Sequence, residues 1–187
     1  MIKDKEELLQ RLDHLLHNYM FHTCAVSDYS RRNFQDIKQE EYRFNFEDGT
    51  VGTLNATLFE DFFKDEEALK HSVQSFGMSY KNFTIAESYE FIKAYCNKST
   101  KSNRRKFQED TIHQYTDTIR YVRVLRNNCS HFSGSNEISW KDYSFKEAVW
   151  KNRTIKEGMK GDDIKINLIE TISLLTDLIS FVEAELE

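Results

Sequence analysis

Thr116-Asp117-Thr118-Ile119-Arg120-Tyr121-Val122-Arg123-Val124-Leu125-Arg126-Asn127-Asn128-Cys129-Ser130-His131 is the stretch on which the reading of this chain turns. Wound at about 100° per residue within a helix expected over about 104 to 130, it extends an apolar stripe made of Ile112, Tyr115, Ile119, Val122, Leu125 and Cys129. Arg126 falls inside that stripe. A guanidinium on a packed side must be compensated, because an unpaired buried charge is costly. It either pairs with a carboxylate or forms an anion site. His131 follows about 140° further around an ideal helix, so the two side chains converge only where the helix frays or ends, and Ser133-Gly134-Ser135 supplies such an ending. Arginine can hold a phosphate with two hydrogen bonds, and imidazole moves protons near neutral pH.

Working outward, the chain reads as mainly helical, and it contains no proline at all. Asp4 and Glu7 have capping-box spacing, and Leu8, Leu9, Leu12, Leu15, Leu16 and Tyr19 follow at helical spacing, which predicts a helix over about 4 to 21. Tyr42, Phe44 and Phe46 alternate with polar residues before the turn signal Asp48-Gly49, predicting one short β-hairpin near 41–54. Leu58, Phe59, Phe62, Phe63, Leu69, Val73 and Phe76 predict one or two helices ending at Gly77. Thr84 with Glu87 predicts the cap of another helix carrying Ile85, Tyr89, Ile92 and Cys96. Residues 97–103 read as a polar linker, and residues 133–161 as a polar excursion containing Trp140, Tyr143 and Trp150. Asp162 is expected to cap a last helix with Leu168, Ile172, Leu175, Ile179 and Val182 on one stripe, widened by Ile169, Leu178 and Phe181. The expected fold class is all-α in the main, a single domain over 1–187 with less regular insertions near 22–56 and 133–161.

The composition narrows the function. A chain of 187 residues with 39 % hydrophobic and 13 % aromatic content suffices for a packed core. A net charge of -5 argues against nonspecific coating of nucleic acid, which rests on a broad surplus of Lys and Arg. No stretch approaches the roughly 20 apolar residues of a membrane span, and Met1-Ile2-Lys3-Asp4-Lys5-Glu6-Glu7 is too charged to open a secretory signal, so a cytoplasmic protein is expected. Cys24, Cys96 and Cys129 are widely spaced and suggest free thiols. His22-x-Cys24 and Cys129-x-His131 lack the spacing of a zinc finger, so neither a metal nor a cofactor is expected. The chain has no Gly-rich phosphate loop, no G-x-S-x-G and no H-E-x-x-H.

Arg126-Asn127-x-x-x-His131, near the end of a late helix and followed by a small-residue break and a further long helix, resembles the R-x(4-6)-H signature of the HEPN superfamily. Arg11 and His17 also satisfy the loose form of that signature, but they read as a solvated face of the first helix. The resemblance implies a HEPN-like helical bundle that pairs as a homodimer. It further implies a metal-independent endoribonuclease of a toxin-antitoxin, phage-defence or RNA-processing system, with an antitoxin or nucleotidyltransferase as a possible partner. On the resemblance, Arg126 binds the scissile phosphate, His131 is the general acid or base assisting attack by the ribose 2'-hydroxyl, and Asn127 orients one of them. Two copies across a dimer would bring both pairs into one cleft. Arg120 and Arg123, about two turns and one turn before Arg126, are expected to contact RNA phosphates or to pair with Asp117 and other surface acids. Lys98, Lys101, Arg104, Arg105 and Lys106 form a basic run that reads as further phosphate contacts or as a solvated linker. An expectation of a different class stands beside this one. It is a noncatalytic HEPN-like module that binds RNA, a nucleotide or a partner protein, with Arg126 serving packing or anion binding only.

Overall fold

Helix α1 (Lys5–Arg31) starts at the expected cap: the Glu7 amide donates to Asp4 Oδ1 at 2.8 Å, and the Lys3 amide donates to Glu7 Oε2 at 2.8 Å. The computed structural model describes residues 2–32, 36, 41–45, 49–55, 65–130, 140, 143–160, 164 and 166–187. Phe46, Leu58, Phe59, Phe62, Phe63, His131, Gly134 and Asp162, each named above, lie outside these residues, as does the Cys129 side chain. Helix α1 continues well past its expected end near residue 21, since no glycine or proline occurs before Gly49 to break it. The chain forms two compact units, one of Met1–Met20 with Tyr80–Glu187 and one of Phe21–Ser79.

In the Phe21–Ser79 unit the expected hairpin is present as β1 (Glu41–Asn45) and β2 (Val51–Asn55). They run antiparallel, with Glu41 opposite Asn55 and Asn45 opposite Val51. Gly49 in the connection has φ +82°, a conformation that glycine adopts without steric cost. Helix α2 (Glu66–Lys98) corrects the expected end at Gly77 and fresh start at Thr84, because it runs through both. Gly77 keeps a negative φ, and a Cβ there would meet only Val26 Cγ1 at an ordinary 3.6 Å. A helical glycine of this kind costs about 1 kcal/mol relative to alanine without ending the helix. Thr84 is fully buried, and its hydroxyl donates back to the Tyr80 carbonyl at 2.8 Å instead of capping a helix. His22, Val26 and Tyr29 of α1 and Leu69, Val73 and Phe76 of α2 line an apolar cavity of about 410 Å³. The His22 ring meets Phe76 edge-on at 4.8 Å, and burial lowers the pKa of its imidazole.

In the other unit, the single helix expected over 104 to 130 is two helices, α3 (Lys101–Phe107) and α4 (Thr116–Ser130). Thr100 caps α3 by accepting from the Asn103 amide at 3.1 Å, which puts most of the expected 97–103 linker into helix. The break after α3 has two local causes. Glu109 takes the left-handed conformation, with φ 65°. The His113 amide and Tyr115 amide are satisfied by Thr116 Oγ1 and His113 Nδ1, at 2.9 and 3.2 Å, instead of by carbonyls four residues back. Ile112, expected on the apolar stripe, is therefore left 89 % exposed.

Helix α5 (Leu168–Glu185) opens on a complete capping box between Asn167 and Glu170. Its buried positions are Thr171, Leu174, Leu175, Leu178, Phe181 and Val182, so the core stripe lies to one side of the expected one and Ile169 points to solvent. The expected polar excursion contains a second antiparallel hairpin, β3 (Glu147–Trp150) and β4 (Arg153–Lys156), joined by Lys151 at φ 52°. Ala148 and Ile155 of this hairpin are buried. The Trp150 indole donates to Asp177 Oδ2 of α5 at 2.8 Å, so what looked irregular is pinned to the core. Leu8 and Leu12, Ile85 and Ile92, Val122 and Leu125, and Leu178 and Phe181 bring four helices into one apolar cluster.

Phe181 is fully buried against the rings of His113 and Tyr115, whereas Asn167 acts only at a helix end. Phe181→Ala is expected to cost about 3–5 kcal/mol of unfolding free energy. Asn167→Ala is expected to cost about 1 kcal/mol, with both read from urea denaturation at constant slope.

Candidate functional site

Helix α4 is buried at Thr116, Thr118, Ile119, Tyr121, Val122, Val124 and Leu125, which leaves one narrow strip toward solvent. Arg120, Arg123 and Arg126 occupy that strip at three-residue intervals, and each guanidinium lies over a ring. Arg120 is 5.5 Å from the Phe145 centroid, Arg123 5.3 Å from Tyr143, and Arg126 5.7 Å from Tyr89. The row is anchored by acids on other elements. The expected carboxylate partner of Arg126 is Glu90 of α2, which accepts from Nη2 and also pairs with Lys93 at 3.4 Å. Arg126 Nη1 donates to Asn127 Oδ1 at 3.1 Å, and Asn127 Nδ2 donates to the Tyr143 hydroxyl. The Arg126 side chain is 25 % exposed. It therefore lies at the margin of the packed face and not within it.

Glu109, in the loop before α4, takes the other two arginines. Its Oε2 lies 3.5 Å from Arg120 Nε and its Oε1 3.5 Å from Arg123 Nη1, while Arg120 also approaches Asp117 at 3.7 Å. The Glu109 side chain is 3 % exposed, and burial pushes its carboxyl above the ordinary range although both guanidiniums pull the other way. Burial likewise pushes the Tyr89 hydroxyl up to about 12, so it stays protonated beneath Arg126. Arg126 Nε, Arg120 Nε and Glu109 Oε2 are buried with no hydrogen-bond partner among the described residues. Arg120 Nε and Glu109 Oε2 face each other as an ion pair, so Arg126 Nε is the one of the three without a charged neighbour at hand among the described residues.

Of the residues singled out in the sequence, Arg126 and Asn127 touch each other, and Arg120 and Arg123 share one acid two turns away. His131 lies outside the described residues. Arg11 and His17, the second match to the loose signature, engage Glu7 and Asp13 of their own helix. Sequence reasoning missed Glu90, Glu109 and Tyr143. Glu90 is an ordinary helix-surface acid until α4 packs beside it, and Tyr143 was read only as part of a polar excursion. Among the described residues no group of His, Cys, Asp and Glu is arranged to hold a metal ion, and no helix is long and apolar enough to cross a membrane. Cys96 is buried, which pushes its thiol up to about 12, and Cys24 is exposed. Both are free.

The raised Glu109 carboxyl gives a pH test. The folded chain holds this proton more tightly than the unfolded chain, so the contribution of Glu109 to stability is largest at acid pH and falls as pH rises past the ordinary carboxylate value. Glu109→Gln carries no titrating group at this position. The stability of the natural chain relative to this variant is therefore expected to decline on going from pH 4 toward neutrality in urea titrations. A relative stability that rises over that interval would show that the arginine pairing outweighs desolvation. Comparison of the chain with protein-family models, curated proteins and solved structures finds no match.

Proposed function

We propose that this chain is a HEPN-like, metal-independent endoribonuclease that works as a homodimer in the cytoplasm, as a toxin or phage-defence effector paired with an antitoxin or nucleotidyltransferase. The observation that carries the reading is the preorganisation of Arg126 near the end of α4. Glu90, Asn127 and the Tyr89 ring fix its guanidinium, and it remains partly open to solvent. Arginine has five N–H donors. Glu90 and Asn127 engage one on each terminal nitrogen, and Nε is buried, so each terminal nitrogen keeps one N–H for the two-point grip that a phosphate takes.

In this reading the scissile phosphate is bound and its developing charge neutralised by Arg126, which Asn127 and Tyr143 hold in place. The 2'-oxygen forms a bond to phosphorus as the bond to the 5'-oxygen breaks. One proton leaves the 2'-hydroxyl and one arrives on the departing 5'-oxygen, and His131 supplies or accepts one of them. The products are a 2',3'-cyclic phosphate and a 5'-hydroxyl, and no oxidant, reductant or metal enters the balance. Pairing of two copies would bring two such sites into one cleft.

One observation favours a second reading, a noncatalytic HEPN-like module that binds RNA, a nucleotide or a partner protein. Glu90 already compensates Arg126, as a purely structural arginine requires.

Incubation with total RNA and tRNA in EDTA separates the two. The natural chain is expected to cleave. Arg126→Ala and His131→Ala are each expected to lose at least about a hundredfold in rate, the scale of one electrostatic or proton-transfer contribution. Undiminished cleavage by both variants would sink the site, and binding of RNA with no cleavage by the natural chain selects the second reading. Full activity in a chain that stays monomeric at high micromolar concentration would remove the dimer from the proposal.

A further inference from the structure

We infer that Lys101, Arg104 and Arg105 of α3, and not Arg120 and Arg123 of α4, form the surface that grips the RNA phosphate backbone, an inference that rests on RNA being the substrate. Some of the cations near the site are already paired. Arg120 and Arg123 face the buried Glu109 carboxylate, with Asp117 beside Arg120, so two positive charges meet two negative ones and little attraction is left for a phosphate. Lys101, Arg104 and Arg105 lie at the i, i+3 and i+4 positions of one exposed face, and no salt bridge engages them among the described residues. With Gln108 and Asp110 they line an open cavity of about 510 Å³, in which three cations outnumber one acid.

This face is not the solvated linker that its composition suggests. Thr100 caps α3, and the fully buried Asn103 amide donates to Ser99 Oγ and to the Glu187 carbonyl, each at 3.1 Å, while it accepts from the Glu187 amide at 2.9 Å. Phe107 packs on the Tyr89 ring at 5.1 Å, and Arg104 Nη2 donates to the Asn97 carbonyl at 2.7 Å, which leaves its other donors outward. Three cations are thereby held on a rigid support, so little side-chain order is lost when a phosphate arrives. Tyr89 is also the ring beneath Arg126, so the basic face and the proposed scissile-phosphate seat lean on one side chain. The chain as a whole carries a net charge of -5, so attraction for a polyanion has to come from local basic surfaces such as this one.

The test is fluorescence anisotropy of a labelled 2'-O-methyl oligoribonucleotide, which keeps the phosphate backbone but has no 2'-hydroxyl to attack. Lys101→Ala/Arg105→Ala is compared with Lys146→Ala/Lys156→Ala, a pair of exposed lysines on the second hairpin that removes equal charge. Removing two phosphate contacts is expected to weaken binding by about tenfold or more and to lower the slope of log K against log salt by about 2, while the control pair stays near the natural chain. Arg105→Lys should keep most of the binding. Natural affinity in the Lys101/Arg105 variant, an equal loss in the control pair, or no binding by the natural chain each overturns the inference. So does displacement by inorganic phosphate as effective, per phosphate, as displacement by unlabelled oligonucleotide, because the site then recognises free phosphate. Cleavage assays run in parallel keep the two readings apart. Arg126-dependent cleavage with undiminished binding in the double variant removes the basic face alone. Loss of binding in that variant, with no cleavage by the natural chain, keeps the face and removes the nuclease.

Discussion

The burial of helix α4 on nearly every side forces its three arginines onto a single strip, and much of this unit is arranged around compensating them. A guanidinium at the edge of an apolar core needs a flat surface for its carbon framework and an acid for its charge. Three rings from two segments supply the first need: Tyr89 from α2, and Tyr143 and Phe145 from the chain between α4 and the second hairpin. Glu90 and Glu109 supply the second, and neither belongs to α4. The aromatic cluster also ties the strip to the core, since Tyr143 and Phe145 meet in a tilted pair at 4.9 Å and each meets Trp140 edge-on, at 5.4 and 5.8 Å.

Glu109 shows what such compensation demands locally. To reach Arg120 and Arg123 from the loop, its backbone turns left-handed, a conformation that costs a nonglycine residue of the order of 1 kcal/mol or more. That turn ends α3 and prevents α3 and α4 from being one helix. The exposed Ile112 follows from it, and so does the placement of the basic face of α3 on an element separate from the arginine row.

How much of this was legible in the sequence depended on the range of the forces involved. Capping at Asp4 and Glu7 and the hairpin around Gly49 are local, and both could be read directly. The helix over Thr116–Ser130 was legible from its period, and so was the need of Arg126 for a partner. The identity of that partner was not, because Glu90 is 36 residues away and nothing in its own neighbourhood marks it. Two local signals misled. Gly77 and Thr84 look like an end and a start, but tertiary burial of α2 outweighs a propensity cost of about 1 kcal/mol. Conversely, the apolar period over 104 to 130 gave no warning of the break at Glu109, since no glycine, asparagine or proline occurs there. The hairpin at Glu147–Lys156 was hidden by polar outward positions, and only Ala148, Trp150 and Ile155 turn inward.

The difference between the two ends of the arginine row bears on function. Around Arg120 and Arg123 the charges cancel, two guanidiniums against Glu109 and Asp117. Around Arg126 they do not, because the one carboxylate of Glu90 is shared between Arg126 and Lys93. Among the described residues, the ion pairs at the end of α4 therefore count two cations to one acid in partly screened surroundings, where attraction for an anion is stronger than in bulk water. A phosphate arriving there need not displace Glu90, since each terminal nitrogen of Arg126 retains a donor, and Lys93 offsets the repulsion between the carboxylate and the newcomer. Glu90 then acts less as a competitor than as the support that orients the guanidinium. On this account an acid beside the motif arginine is compatible with an anion site.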